Sequence, residues 1–185
     1  MMTFAEYQRK AAETAVYPRV HIQVAFDGQT GTIWTGGKEI PVYPALGLCG
    51  EAGEVIACFW AHDIDGLAKE IGDVLWYVAE IATCTKIDLG DWDDVCAGVH
   101  SFGGGEQLAV ACAQVAEMVK KAWRDGDGVE LSRAELGARL RSVLEELHGI
   151  AEYNDLTLEQ CAEGNIAKLA SRKARGVLSG SGDNR

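Results

Sequence analysis

Apolar residues along the chain recur mainly at three- and four-residue steps, the spacing of one helical face, and this rhythm breaks in only one place. Thr3 with Glu6 forms a capping-box pattern that opens a first helix running to about Thr14. Pro44 suits the first turn of a second, which extends to about Ala61. A third helix is expected over Leu67 to Lys86 and a short fourth after Asp91, followed by Gln107 to Trp123, Ser132 to Glu152 and Thr157 to Val177. Capping boxes mark the last two, Ser132 with Glu135 and Thr157 with Gln160. The exception lies between Val20 and Ile40. There "VHIQVAF" alternates, "DGQTG" turns and "TIWTGGKEI" resumes, a β-hairpin signature. The pattern predicts an all-α bundle, residues 1–185 as one domain, with a small β-hairpin insertion near 20–40. The Gly-rich run "SFGGGE", Ser101 to Glu106, is the best linker, separating a unit over 1–100 from one over 106–178, with 179–185 a flexible tail.

The second unit reads as a worn copy of the first. Cys49, Glu54 and Trp60 correspond to Cys112, Glu117 and Trp123 at one constant offset, and "KEIGDVL" is echoed by "AELGARL" further on. The bundle is therefore expected to be a degenerate tandem repeat of a helical hairpin. The acids only half survive, since Glu51 maps to Gln114 and Asp73 to Ala138.

Those acids carry the chemistry. Glu51 with Glu54, and Glu70 with Asp73, stand three residues apart, so each pair projects from one helical face. The stretch from Val55 to Lys69 suffices to finish one helix, turn and begin an antiparallel second, bringing four carboxylates together. Like charges on one face cost roughly 0.2–0.5 kcal/mol per pair. A hard divalent cation with oxygen ligands offsets that repulsion and leaves room for water and phosphates. Gly47, Gly50, Gly53 and Gly72 interrupt the same helices at about 1 kcal/mol each relative to Ala, a cost that suggests close backbone approach. On the last helix Asn165, Lys168, Arg172 and Arg175 share a stripe, and Arg185 follows in the tail. Such a stripe suits phosphates. Complementing the macrodipole at a helix C-terminus is the other reading for Lys173 and Arg175.

Composition narrows the partners. With a net charge of −11 and a pI near 4.8, a general nucleic-acid binder is not expected. No apolar run approaches the ~18 residues of a membrane span, and "MMTFAEYQRK" lacks the layout of a signal peptide. No membrane partner and a cytoplasmic location are expected. The six cysteines form no C-x-x-C pair and read as reduced core residues. Glu145 with His148 is a single E-x-x-H, half of what a di-iron bundle needs. There is no G-x-x-x-x-G-K-[ST] loop. Trp76, Tyr77, Trp34 and Trp60 divide between core packing and stacking on a base.

The stretches "YPALGLCGEAGEV" and "KEIGDVLWYVAEIA" resemble the E-x-x-E and E-x-x-D signature of the all-α, MazG-like nucleoside triphosphate pyrophosphohydrolases, relatives of the dimeric dUTPases and dCTPases. The resemblance is strong over Tyr43 to Ala82 and weaker at "FAEYQRKAAETAVYP". It implies that Glu51, Glu54, Glu70 and Asp73 are ligands of Mg²⁺, with Mn²⁺ as an alternative. It also implies a nucleoside triphosphate substrate cleaved to monophosphate and pyrophosphate, phosphate contacts from Asn, Lys and Arg near the chain end, and a homodimer or higher homo-oligomer. Glu54, central in the motif, is the expected acceptor of the proton from the attacking water. A reading from a different class is a non-catalytic helical dimer or regulatory protein that keeps the fold without the chemistry.

Overall fold

The computed structural model describes residues 2–22, 38–92, 94, 105–125 and 131–178. Within them the chain forms α1 (Phe4–Ala12), β1 (Val20–Ile22), β2 (Lys38–Ile40), α2 (Val42–Ala61), α3 (Ile64–Thr85), α4 (Glu106–Asp125), α5 (Arg133–Tyr153) and α6 (Leu158–Ala174). The protein is all-α with a minor two-stranded element. β1 and β2 pair antiparallel with Val20 opposite Ile40, as the hairpin pattern requires. The "DGQTG" turn, Trp34, the segment after Asp94, most of the "SFGGGE" run and the tail with Arg185 lie outside the described residues.

Local chemistry sets the helix ends. Thr3 and Glu6 form a complete capping box at α1, as do Thr157 and Gln160 at α6. Ser132 Oγ accepts the Glu135 N–H at 3.3 Å and starts α5. The third helix begins at Ile64 rather than Leu67 because Asp63 Oδ1 accepts the Gly66 N–H at 2.9 Å, capping one turn earlier. His62, left-handed at φ 56°, closes α2 two residues before α3 begins, so the two run antiparallel as a tight hairpin. The last helix ends at Ala174, short of Val177, with Arg175 as its C-cap.

α3 is the central element. It packs along α2 and carries α1 and α6 on its other sides, while α4 joins α2 to α5. Leu67, Ile71, Val74, Leu75, Val78, Ala79, Ile81 and Ala82 of α3 are fully buried, and at about 1.5–3 kcal/mol per large side chain they anchor the core. Positions paired in the expected repeat agree only in part, since Cys49 is exposed where Cys112 is buried and Glu51 is half-buried where Gln114 is exposed. Cys49 Sγ lies 3.7 Å from the Cys112 carbonyl oxygen at the α2–α4 contact, Trp60 and Trp123 are both exposed, and Gly72 and Gly137 are both buried. The cysteines are less uniform than expected: Cys112 and Cys161 are buried, Cys58 and Cys84 partly so, and Cys49 is exposed. Contrary to the expectation of no membrane-length run, α2 is long and apolar enough to span a bilayer by length and composition. In the fold it packs on α3 and α4 instead.

Candidate metal centre

Glu51 of α2 and Glu70 and Asp73 of α3 come together where the two helices of the hairpin face each other, with one carboxylate oxygen from each within 4.8 Å of the others. Glu70 is buried and the other two partly buried. Oxygens on one octahedral Mg²⁺ at about 2.1 Å lie roughly 3–4 Å apart, so this donor set fits a hard divalent cation with slight contraction. Electrostatics agree. Burial first, then the negative charges of Asp73, Glu54 and Glu70, push the Glu51 carboxyl up to about 8, against a lowering contribution from Lys168. Glu54, one turn beyond Glu51, is solvent-exposed and stands outside this group of three.

α6 supplies the opposing charge. Asn165 Nδ2 donates to Asp73 Oδ1 at 2.7 Å, and Lys168 Nζ donates to Asp73 Oδ2 at 2.5 Å. Gly72 makes this approach feasible: a Cβ there would lie 2.9 Å from both the Asn165 Cβ and the Cys161 carbonyl oxygen. Gly47 does the same for the Tyr77 ring, which a Cβ would meet at 2.3 Å. Gly50 and Gly53 have nothing within 4 Å, so close approach explains two of the four glycines. Tyr77 is beside the acids, its hydroxyl pushed well up by burial, by a hydrogen bond with Tyr43, and by Glu51 and Asp73. Trp76 faces elsewhere, its Nε1 donating to Thr14 Oγ1 at 2.9 Å, and Trp60 is on the outer surface.

The basic stripe divides along its length. Asn165 and Lys168 are at the acids and Arg172 is buried one turn on. Arg175 is exposed and donates from Nε to its own helix at Ser171 O, 3.3 Å away, as the capping reading held. Lys173 reaches Glu13 at the end of α1. Sequence reasoning missed Tyr7. This residue is fully buried, and its hydroxyl lies 3.2 Å from both Gly72 O and Asn165 Oδ1, donating toward each. It therefore orients the amide that holds Asp73. The available signal was its place at i+3 from Phe4 and four before Ala11, a polar-tipped aromatic on the buried face of α1.

Among the described residues of the second hairpin, α4 and α5, no such group of acids converges. Gln114, at the position of Glu51, accepts from Arg139 Nη1 at 2.7 Å, and Glu117 pairs with Lys120 and Lys121. Ala138 offers no ligand.

Residues 44–99 match the family described as the MazG nucleotide pyrophosphohydrolase domain. The chain is also 43% identical over 113 residues to the gene 37 protein of Mycobacterium phage L5, an alignment spanning 60% of this chain and 96% of that protein. No solved structure matches significantly.

Proposed function

Because the chain belongs to the MazG nucleotide pyrophosphohydrolase family, we propose that it is a metal-dependent enzyme hydrolysing a nucleoside or deoxynucleoside triphosphate to the monophosphate and pyrophosphate. The observation that carries this reading is the convergence of Glu51, Glu70 and Asp73 with Asn165 and Lys168 on one side of α3. Glu51, Glu70 and Asp73 would hold Mg²⁺ or Mn²⁺, with Glu54 approaching from the exposed side. When bound, such an ion polarises phosphoryl oxygens and acidifies a coordinated water. Glu54, which is exposed to solvent, would accept the proton of the attacking water. Asn165, Lys168 and Arg172 would grip the phosphates through charge-assisted bonds, while Arg175 serves the helix end. Arg185 is proposed as a further phosphate contact from the tail.

We also propose a cytoplasmic enzyme that works as a homodimer. Leu46, Gly50, Gly53, Ala57 and Trp60 form an exposed, largely apolar stripe along α2, the kind of surface a second copy covers.

The test is incubation with a panel of canonical and modified triphosphates and Mg²⁺, with nucleotide and phosphate products separated. Monophosphate and pyrophosphate are expected in equal amounts, abolished by chelation and by Glu51→Gln or Asp73→Asn. Turnover by either variant at the wild-type rate, with an intact helical signal in circular dichroism, would overturn the assignment.

A further inference from the structure

Lys168 holds the oxygen that a metal would need. Both oxygens of Asp73 are engaged by α6, Oδ1 by Asn165 and Oδ2 by Lys168. The two donors differ in freedom. Asn165 is 3% exposed and pinned by the Tyr7 hydroxyl, so its amide is a fixed partner of Oδ1. The Lys168 side chain is 20% exposed, and its ammonium sits on a flexible four-carbon stem that can withdraw. An ammonium and a divalent cation on one carboxylate oxygen would be like charges a few ångströms apart, and their repulsion is strong at that range in a part-buried site. Of the two contacts, the Lys168 bond is therefore the one that must break when Asp73 ligates an ion.

We propose that Lys168 is a tethered counter-cation that competes with the metal for Asp73 Oδ2, and that its displacement couples metal binding to triphosphate binding. This rests on the metal reading given above. Without metal, the ammonium offsets part of the repulsion among Glu51, Glu70 and Asp73. With metal, it is released within one side-chain length of the centre, where phosphates bridged to the ion would receive it. Metal alone displaces the lysine from its carboxylate into water; metal with a triphosphate gives it an anionic partner in exchange. The two ligands thus favour each other, and by linkage each raises the other's affinity by the same factor.

The second hairpin offers a contrast. There the position of Glu51 is Gln114, held by Arg139, and Glu117 is paired with Lys120 and Lys121. Those cations meet a neutral amide or a neighbouring acid on the same helix, whereas Lys168 reaches a part-buried acid from another helix. Among the described residues, it is Lys168 that sits on an oxygen of the converging triad.

The experiment is Mn²⁺ titration of the full chain, followed by calorimetry and by the paramagnetic resonance of free Mn²⁺, with and without a non-hydrolysable triphosphate analogue. Lys168→Met is expected to bind Mn²⁺ alone about tenfold more tightly than the wild type, a difference of about 1.4 kcal/mol. The enhancement of Mn²⁺ binding by the analogue should shrink by at least the same factor. Lys168→Arg, which keeps the charge, should stay within about twofold of wild type for Mn²⁺ alone. If Lys168→Met does not fold by circular dichroism, Lys168→Gln carries the same expectation. Mn²⁺ affinity in the neutral variant equal to or below that of wild type, in the absence of nucleotide, overturns the proposal. Asp73→Asn separates the two ideas. If that variant keeps wild-type Mn²⁺ affinity, the metal reading itself fails; if it loses Mn²⁺ while Lys168→Met leaves affinity unchanged, only the lysine exchange fails.

Discussion

Glu51 shows how one side chain records the whole site. Its carboxyl is held up to about 8 by burial and by three neighbouring acids, whereas in the unfolded chain it titrates at an ordinary glutamate value near 4.3. The folded state thus keeps a proton that the unfolded state has lost, so this group's effect on stability becomes more unfavourable as pH rises from about 4.5 to about 8. The melting temperature of metal-free protein is expected to fall across that window, and Glu51→Gln should flatten the fall; equal slopes in both proteins would remove Glu51 as its source. The same proton must leave when Glu51 becomes a ligand. Mg²⁺ titration at pH 7 should therefore release close to one proton, read as a dependence of the calorimetric heat on buffer ionisation enthalpy, and the release should vanish above about pH 9.

At the scale of elements, α6 reaches the centre only because α3 has no side chain at Gly72. In Gly72→Ala the new Cβ meets a backbone oxygen of α6 at 2.9 Å, which cannot rotate away. An overpacking cost of about 1–3 kcal/mol is expected in urea unfolding, with lower metal affinity as Asn165 and Lys168 are pushed from Asp73. Gly50→Ala meets nothing within 4 Å and should stabilise α2 by up to about 1 kcal/mol through helix propensity alone. The contrast between two Gly→Ala changes in one hairpin is the check. The second hairpin, α4 and α5, gives the complementary expectation. Glu117 and Glu135 lack the partners of a metal centre, so their replacement by Gln should leave kcat/KM within about twofold, while Glu54→Gln and Glu70→Gln reduce it at least a hundredfold if they act in a cluster stabilising the transition state.

For the whole molecule, the exposed side of α2 is the surface on which the proposed homodimer is tested. Leu46 and Trp60 are 68% and 65% exposed, and Gly50 and Gly53 lie between them without neighbours. Burying such a stripe against a second copy removes apolar surface worth about 25 cal/mol per Å² from water. Leu46→Glu is expected to shift light scattering from dimer to monomer at micromolar concentration. Wild-type protein that scatters as a monomer throughout would instead leave α2 as an uncovered face.

Much of this was legible in the chain itself. Helical periodicity and capping boxes at Thr3 and Thr157 placed the helices to within a turn, because caps and amphipathic spacing are local chemistry. The four acids stood out for the same reason, since three-residue spacing fixes a shared face. What the sequence could not determine rests on contacts between residues far apart along it. Asn165 and Lys168 meet Asp73 across 92 and 95 positions, and no spacing rule spans such distances. Arg172 and Arg175 share their stripe in sequence yet part in space, one buried and one folded onto its own helix. Tyr7 became a positioning residue only when α1 settled across Gly72. The proton affinity of Glu51 likewise belongs to the fold, because desolvation and the field of neighbouring acids exist only once α2 and α3 close on each other.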